Sequence, residues 1–474
     1  MFEIKKPRIG MAGVMCTPFR GDKEGNYAGD LDKLELFAKE MDFDYYAVKE
    51  GIYNIDQAKT AARELQEWKA DFILLQTSSF ASGDFIYPFT ELTARLGLWA
   101  VPEGAPTSEG GLPLNSFTAA NLYNSIIRTT LPDYNQPVKW FLGHPGQPLF
   151  DHRLAVTVNA LRALINLPGK RIALIGGVAP SFDNLIIENQ TVMDKLGIEV
   201  EDFDLDLIIA HAKELDNESI NNVAEQFQSS SSDFSPDQTE ALEKSARIYQ
   251  AIQNFSLNGN FDGVALSCWP QFQSDYGLAV CSVMGQLNST GLIASCEGDL
   301  TSAVSMLVLR YLTQGDIVTV MDLVSIDDQD ESVLLWHCGP TSPELADENG
   351  STMQPLWLFD GPDGERTGLH NDLVLKPGRG TVLGFTTNFE RMLILGGEID
   401  NHKPSYMGSR GWLKNLSLNG ESISTPDLVQ TIMKSGYQHH YPFAYGELSE
   451  AALELCGWLG TKPIQKEIYT SYVR

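Results

Sequence analysis

The chain has 474 residues, with 34 lysines and arginines against 62 aspartates and glutamates, for a formal charge of −28. Its 43% hydrophobic and 20% charged residues exclude a disordered chain, and its length calls for two or three domains. So acidic a surface repels phosphate backbones and anionic headgroups, which disfavours nucleic acid and membranes and obliges any anionic substrate to find a local basic pocket.

In chain order, Arg8–Val14 (RIGMAGV) reads as a buried strand, Leu31–Met41 as a helix with Asp30 as its N-cap, and Tyr45–Val48 as a second strand. Ile55–Lys69 reads as a helix and Asp71–Gln76 as a strand, followed by the apolar runs Leu98–Val101 and Trp140–Leu142. Continuous apolar runs separated by helices predict a parallel sheet covered on both faces. After a joint at Leu167–Lys170 the pattern restarts with a strand at Arg171–Gly177, a helix through Lys195 and a strand near Val200–Leu205. A polar loop at Ser229–Pro236 precedes a helix at Glu240–Asn254, a strand at Asp262–Ser267 and a helix at Tyr276–Leu287. The strand Leu292–Ser295 and the apolar helix Leu300–Leu312 complete this second unit.

Beyond Asp322, short strand-like runs alternate with glycine- and proline-rich turns such as KPGRG. They fall at Ser332–Trp336, Leu356–Phe359, Leu373–Leu375, Thr381–Thr387, Arg391–Gly396 and Gly411–Leu418, before a last helix at Leu448–Leu459. The expected fold class is α/β: two doubly wound Rossmann-like α/β units followed by a β-rich, barrel-like C-terminal domain. The expected domains are 1–168, 169–325 and 326–474.

None of the six cysteines forms a CxxC pair, and most lie in apolar stretches, which predicts free thiols in a reducing compartment and no zinc site. The opening MFEIKKPRIGMAGVM breaks with proline and glycine where a secretory leader needs an apolar core. SAVSMLVLRYL is too short to span a bilayer, so a cytoplasmic location is expected.

Four stretches carry candidate chemistry. In LIASCEGDL, Glu297 and Asp299 follow a buried strand at once, where open α/β sheets bind ligands. Asp299 suits the N-cap of the next helix, whereas Glu297 has no such structural duty. In VTVMDLVS, Asp322 interrupts an apolar run, which is costly unless it is paired, coordinated or turned to water at a sheet edge. In SVLLWHCGP, His337 follows an apolar run and could equally be a hydrogen-bonded core histidine. In GYQHHYPFAYGEL, His439 and His440 are adjacent, and strand alternation would let only one face a given site. Glu297, Asp322 and one of these histidines make a mixed oxygen and nitrogen set that suits Mn²⁺, or a related ion such as Mg²⁺ or Co²⁺.

The order CEGDL, VMDL, LLWHCGP and HHYPFAYGE resembles the L-fucose isomerase/L-arabinose isomerase superfamily, in its shorter L-fucose isomerase-like branch, which includes sulfoquinovose isomerases. The resemblance spans Asp262 to Glu447, with LPLNSFTAAN the only matching string in the first half. It implies that Glu297, Asp322 and His440 (rather than His439) bind Mn²⁺, with His337 a site residue of open role. It also implies an aldose–ketose isomerase working through a cis-enediol, with Glu297 and Asp322 sharing the proton transfers, and a homo-oligomer, trimer or hexamer. The substrate would be L-fucose, D-arabinose or L-arabinose, or else sulfoquinovose, converted to 6-deoxy-6-sulfofructose.

His337, His439, Trp269 and Trp336 are candidate sugar contacts. Arg20, Lys23 and Arg410 are candidate partners of an anionic sugar, against ordinary surface charge. The main alternative is a non-catalytic sugar-binding protein with two Rossmann-like lobes, although such proteins are usually secreted. A glycosidase built on two carboxylates would need no metal. A phosphate loop at Ile175–Ser181 (IGGVAPS) lacks both GxGxxG and GxxxxGK[ST], and a strand-to-helix turn explains its glycines.

Overall fold

The apolar run Arg8–Val14 forms β1, in a computed structural model that describes the chain except for residues 1–3, 21–23, 107, 109, 235–237, 357–367 and 473–474. β1 pairs in parallel with β2 (Asp44–Ala47) and β3 (Phe72–Thr77). β4 (Arg95–Ala100) and β5 (Val138–Leu142) extend the sheet in the order β2-β1-β3-β4-β5. Every residue of β3 is buried, which is why Phe72–Leu75 is a continuous apolar run rather than an alternating one. Ile73, Leu75, Leu96 and Leu98 share a core with Ala58 and Leu65 of the helix Ile55–Glu67. These elements belong to a compact unit, Lys5–Ile165.

Asp30 is not an N-cap. The first helix begins earlier, at Asn26, and runs to Met41, with Asp30 buried inside it. There it faces His144 Nδ1 at 2.9 Å and accepts from Gln76 Nε2 at 2.8 Å. Burial raises its carboxyl pKa against the pull of both partners.

A second compact unit runs from Asn166 onward. Its first sheet is also parallel: β6 (Arg171–Ile175), β7 (Glu199–Phe203), β8 (Gly263–Leu266) and β9 (Ile293–Ser295), in the order β7-β6-β8-β9. From β10 (Thr319–Asp327) the pairing turns antiparallel, as hairpin-length connections between successive runs allow. The further strands are β11 (Ser332–His337), β12 (Thr352–Pro355), β13 (Leu369–Val374), β14 (Gly378–Phe385), β15 (Arg391–Asp400), β16 (Ser409–Leu418), β17 (Glu421–Ser422), β18 (His440–Tyr445) and β19 (Lys462–Pro463). β16, β11, β10, β18, β14 and β15 pair in that order, and β15 pairs back to β16, closing an antiparallel barrel. Met321, Val333, Leu335, Val382, Leu393, Leu395, Leu413 and Phe443 belong to its core. The protein is thus α/β, with parallel Rossmann-like sheets and a C-terminal barrel.

The helix Leu300–Leu312 is buried along all 13 residues. So largely apolar a helix must be enclosed, and this one packs on β8 and β9 as well as on β10, β14 and β18. The expected strand at Leu356–Phe359 falls largely on residues outside those described; β12 lies just before it. The helix Thr425–Ser435 was not anticipated, although Ser424 accepts at its N-cap, Pro426 sits in its first turn and Gly436 ends it. Among the described residues, no helix is long and apolar enough to cross a membrane.

Candidate active site

Where β9 ends, the chain turns at once into the buried helix. Glu297 adopts φ +57° and Gly298 φ +70°. A Cβ on residue 298 would come within 2.1 Å of the Gly177 carbonyl oxygen, so only glycine fits there. The turn is pinned on both sides: Gly298 N–H donates to Leu266 O at 3.0 Å, and Ala179 N–H donates to Glu297 O at 2.9 Å. A glutamate held in the left-handed region costs about 1–3 kcal/mol, a cost that clusters at functional sites. Its carboxylate stands beyond the carboxyl ends of β6, β8 and β9, where ligands bind such sheets.

Asp299 caps the helix as the sequence suggested, accepting from Ser302 N–H at 2.9 Å and from the Ser302 hydroxyl. It has a second partner that the sequence did not reveal: its Oδ2 lies 2.8 Å from His440 Nδ1. His440 lies on β18, opposite Asp322 of β10, and its Nε2 is 3.5 Å from Glu297 Oε2. Burial opposes charge on both His440 and Asp299. Their mutual bond prevails, raising the histidine's pKa and, with Ser302, lowering the aspartate's.

His439 Nε2 is 3.0 Å from Glu297 Oε2. Burial would raise the Glu297 pKa, but the His439 bond and the charges of His440 and His337 hold it below the usual range. Both adjacent histidines therefore reach Glu297, contrary to the expectation that only one could. His439 sits in a bend before β18, where strand alternation does not apply. Its ring stacks on Phe182 with centroids 5.1 Å apart, and Phe182 meets Trp269 edge-on at 6.1 Å. Phe182 belongs to the loop after β6, and no local pattern marked it.

Asp322 is on an interior strand, between β11 and β18, not at an edge. Its Oδ1 is buried with no hydrogen-bond partner among the described residues. His337, 4% exposed, ends β11, and its ring lies nearly parallel to that of His440 at 5.7 Å. Its Nδ1 accepts the Cys338 N–H at 2.8 Å, and its Nε2 is buried with no partner among the described residues. Among the described residues, two sets could hold a metal ion, each with ligand atoms within 4.8 Å of one another: Glu297, His439 and His440, and Cys296, His337 and His440; Asp322 is in neither.

The remaining candidates are placed differently. Trp336 pairs across from Asp322, but its Nε1 donates to Met407 O at 2.6 Å, a backbone tie. Arg410 pairs with Asp372 and donates to the Gly408 carbonyl. Arg20 belongs to the N-terminal unit and pairs with Glu24 at 3.0 Å; Lys23 lies outside the described residues. All six cysteines are free, with Cys268 Sγ and Cys296 Sγ 3.3 Å apart.

No family model matches the chain. Sulfoquinovose isomerases of Priestia megaterium and Priestia aryabhattai are each 27% identical to it over 410 residues, covering 84% of this chain and 88% of the relative. That of Alkalicoccus urumqiensis is 24% identical over 388 residues, covering 81% and 84%. Among solved structures, an ABC transporter solute-binding protein from Burkholderia multivorans covers 65% of this chain and 94% of its own at 10% identity. Its TM-score of 0.19 carries no argument. The sequence relatives indicate that this chain is an isomerase.

Proposed function

We propose that the chain is a metal-dependent aldose–ketose isomerase that converts sulfoquinovose to 6-deoxy-6-sulfofructose through a cis-enediol. The observation that carries the reading is the likeness to sulfoquinovose isomerases over most of the chain. The arrangement around Glu297 supports it. The charge of −28 by itself favours a neutral sugar. Charges beyond about 10 Å are largely screened, however, so local groups decide whether a sulfonate is accepted.

The donor set fits a divalent cation. Glu297 offers a carboxylate, Asp322 a buried oxygen without a hydrogen-bond partner among the described residues, and His440 an Nε2 lone pair facing Glu297. The Asp299 bond to Nδ1 fixes that tautomer, the outer partner that metal-bound histidines commonly use. Oxygen and imidazole ligands together suit Mn²⁺, with Mg²⁺ or Co²⁺ as substitutes. Such an ion supplies Lewis acidity toward O1 and O2 of the open sugar and makes the C2 proton more acidic.

The chain's own residues do the rest. One of the Glu297 and Asp322 carboxylates takes the C2 proton and returns it at C1, while the other handles the hydroxyl protons. The C1 carbonyl becomes a hydroxyl and the C2 hydroxyl a carbonyl, so no external oxidant is needed. The wall of Phe182, Trp269 and His439 offers an apolar face for the sugar's C–H groups.

With Mn²⁺ present, sulfoquinovose is expected to be turned over with a kcat/KM about tenfold or more above L-fucose, D-arabinose and L-arabinose, at least 1.4 kcal/mol of discrimination. Preference for a neutral sugar overturns the substrate, and tight sugar binding without turnover overturns the reaction. Asp299→Asn keeps a capping oxygen but not the carboxylate behind His440. It is expected to leave the fold intact by circular dichroism and to weaken Mn²⁺ binding about 10–100-fold by calorimetric titration.

A further inference from the structure

A neutral imidazole carries one proton, and the nitrogen that accepts a hydrogen bond is not the one that bears it. In His337 the acceptor is Nδ1, which takes the Cys338 N–H at 2.8 Å. The Cys338 sulfur, 3.2 Å from the same nitrogen, can direct its S–H there too. The proton of His337 therefore sits on Nε2. His440 is arranged the other way. Its Nδ1 faces the Asp299 carboxylate at 2.8 Å, so in the neutral ring the proton is on Nδ1 and Nε2 carries the lone pair. Two rings 5.7 Å apart thus present opposite chemistry.

We propose that His337 is not a metal ligand but donates a hydrogen bond from Nε2 to an oxygen of the bound sugar. Ligation through Nε2 would require a proton on Nδ1, set against the Cys338 N–H. The nearness of Cys296, His337 and His440 is then a matter of distance, not a ligand set. Nε2 of His337 and Oδ1 of Asp322 are both buried without partners among the described residues, and they make opposite demands. The oxygen asks for a donor or a cation, and the N–H asks for an acceptor. A carbonyl becoming an enediolate oxygen is such an acceptor, and it gains charge as the reaction proceeds, so a fixed donor stabilises the transition state more than the ground state. The identity of that acceptor rests on the isomerase reading; the tautomer does not.

Two measurements test the proposal. Long-range ¹H–¹⁵N spectra of the full-length, histidine-labelled protein should show His337 protonated on Nε2 and His440 on Nδ1, with Gln substitutions assigning the signals. A His337 protonated on Nδ1 overturns the proposal whether or not the protein turns over a sugar. In kinetics, His337→Phe is expected to lower kcat about 10²-fold with Mn²⁺ content by mass spectrometry unchanged. His337→Gln, whose amide N–H reaches near the place of Nε2, should recover about tenfold of that loss. Loss of Mn²⁺ from the Phe variant makes His337 a ligand, and a Gln variant no faster than Phe removes the donor role. Either result overturns the proposal. If the wild-type protein isomerises no aldose while the spectra show the Nε2 tautomer, the isomerase reading fails, not the tautomer.

Discussion

Glu297→Gln is expected to lower turnover about 10³-fold, within the range for loss of a positioned acid–base group. Glutamine has nearly the same shape, so it can keep the +57° turn and the backbone bonds that pin it. What it loses is charge. His439 at 3.0 Å and His440 at 3.5 Å would face a neutral amide, and a cation would lose one of its anionic ligands. The effect should therefore appear in activity and bound metal while circular dichroism stays unchanged. Activity within tenfold of wild type would remove Glu297 from the chemistry.

Chelation is expected to have an effect of similar size. Dialysis against EDTA should abolish activity, a loss of several kcal/mol of transition-state stabilisation, and Mn²⁺ should restore it. Asp322→Asn and His440→Ala should each reduce the metal retained on desalting, read by mass spectrometry. If exhaustive chelation leaves activity intact, metal dependence is wrong. If chelation works but neither variant loses metal, the error lies in the ligands. Asp322 is the sharper probe, because its Oδ1 is buried without a hydrogen-bond partner among the described residues.

What the sequence revealed depended on how local each signal is. Glu297 and Asp299 were legible because they directly follow an apolar strand, and Asp322 because it interrupts one. The helix Leu300–Leu312 was found with its observed limits, since so long a largely apolar run behind an N-cap aspartate has few other solutions. Asp30 misled, because an aspartate just before an apolar period satisfies the N-cap pattern equally well when it is buried within the helix against Gln76 and His144. The Thr425–Ser435 helix had its start and stop signals in place, and they were missed. Phe182 and the Asp299–His440 bond could not be read at all. Each depends on the tertiary approach of segments whose separation leaves no periodic trace.

The position of β18 in the barrel sets an order of assembly. This late strand enters between β10 and β14, two strands made long before it, and brings His440 to Asp322. Until it arrives, β10 and β14 each present an unpaired edge, and the barrel cannot close. Such long-range pairing is slow, and open strand edges are where partly folded chains associate wrongly. The proposed ligand set would thus be completed by one of the last strands to emerge from the ribosome, long after both of its carboxylates.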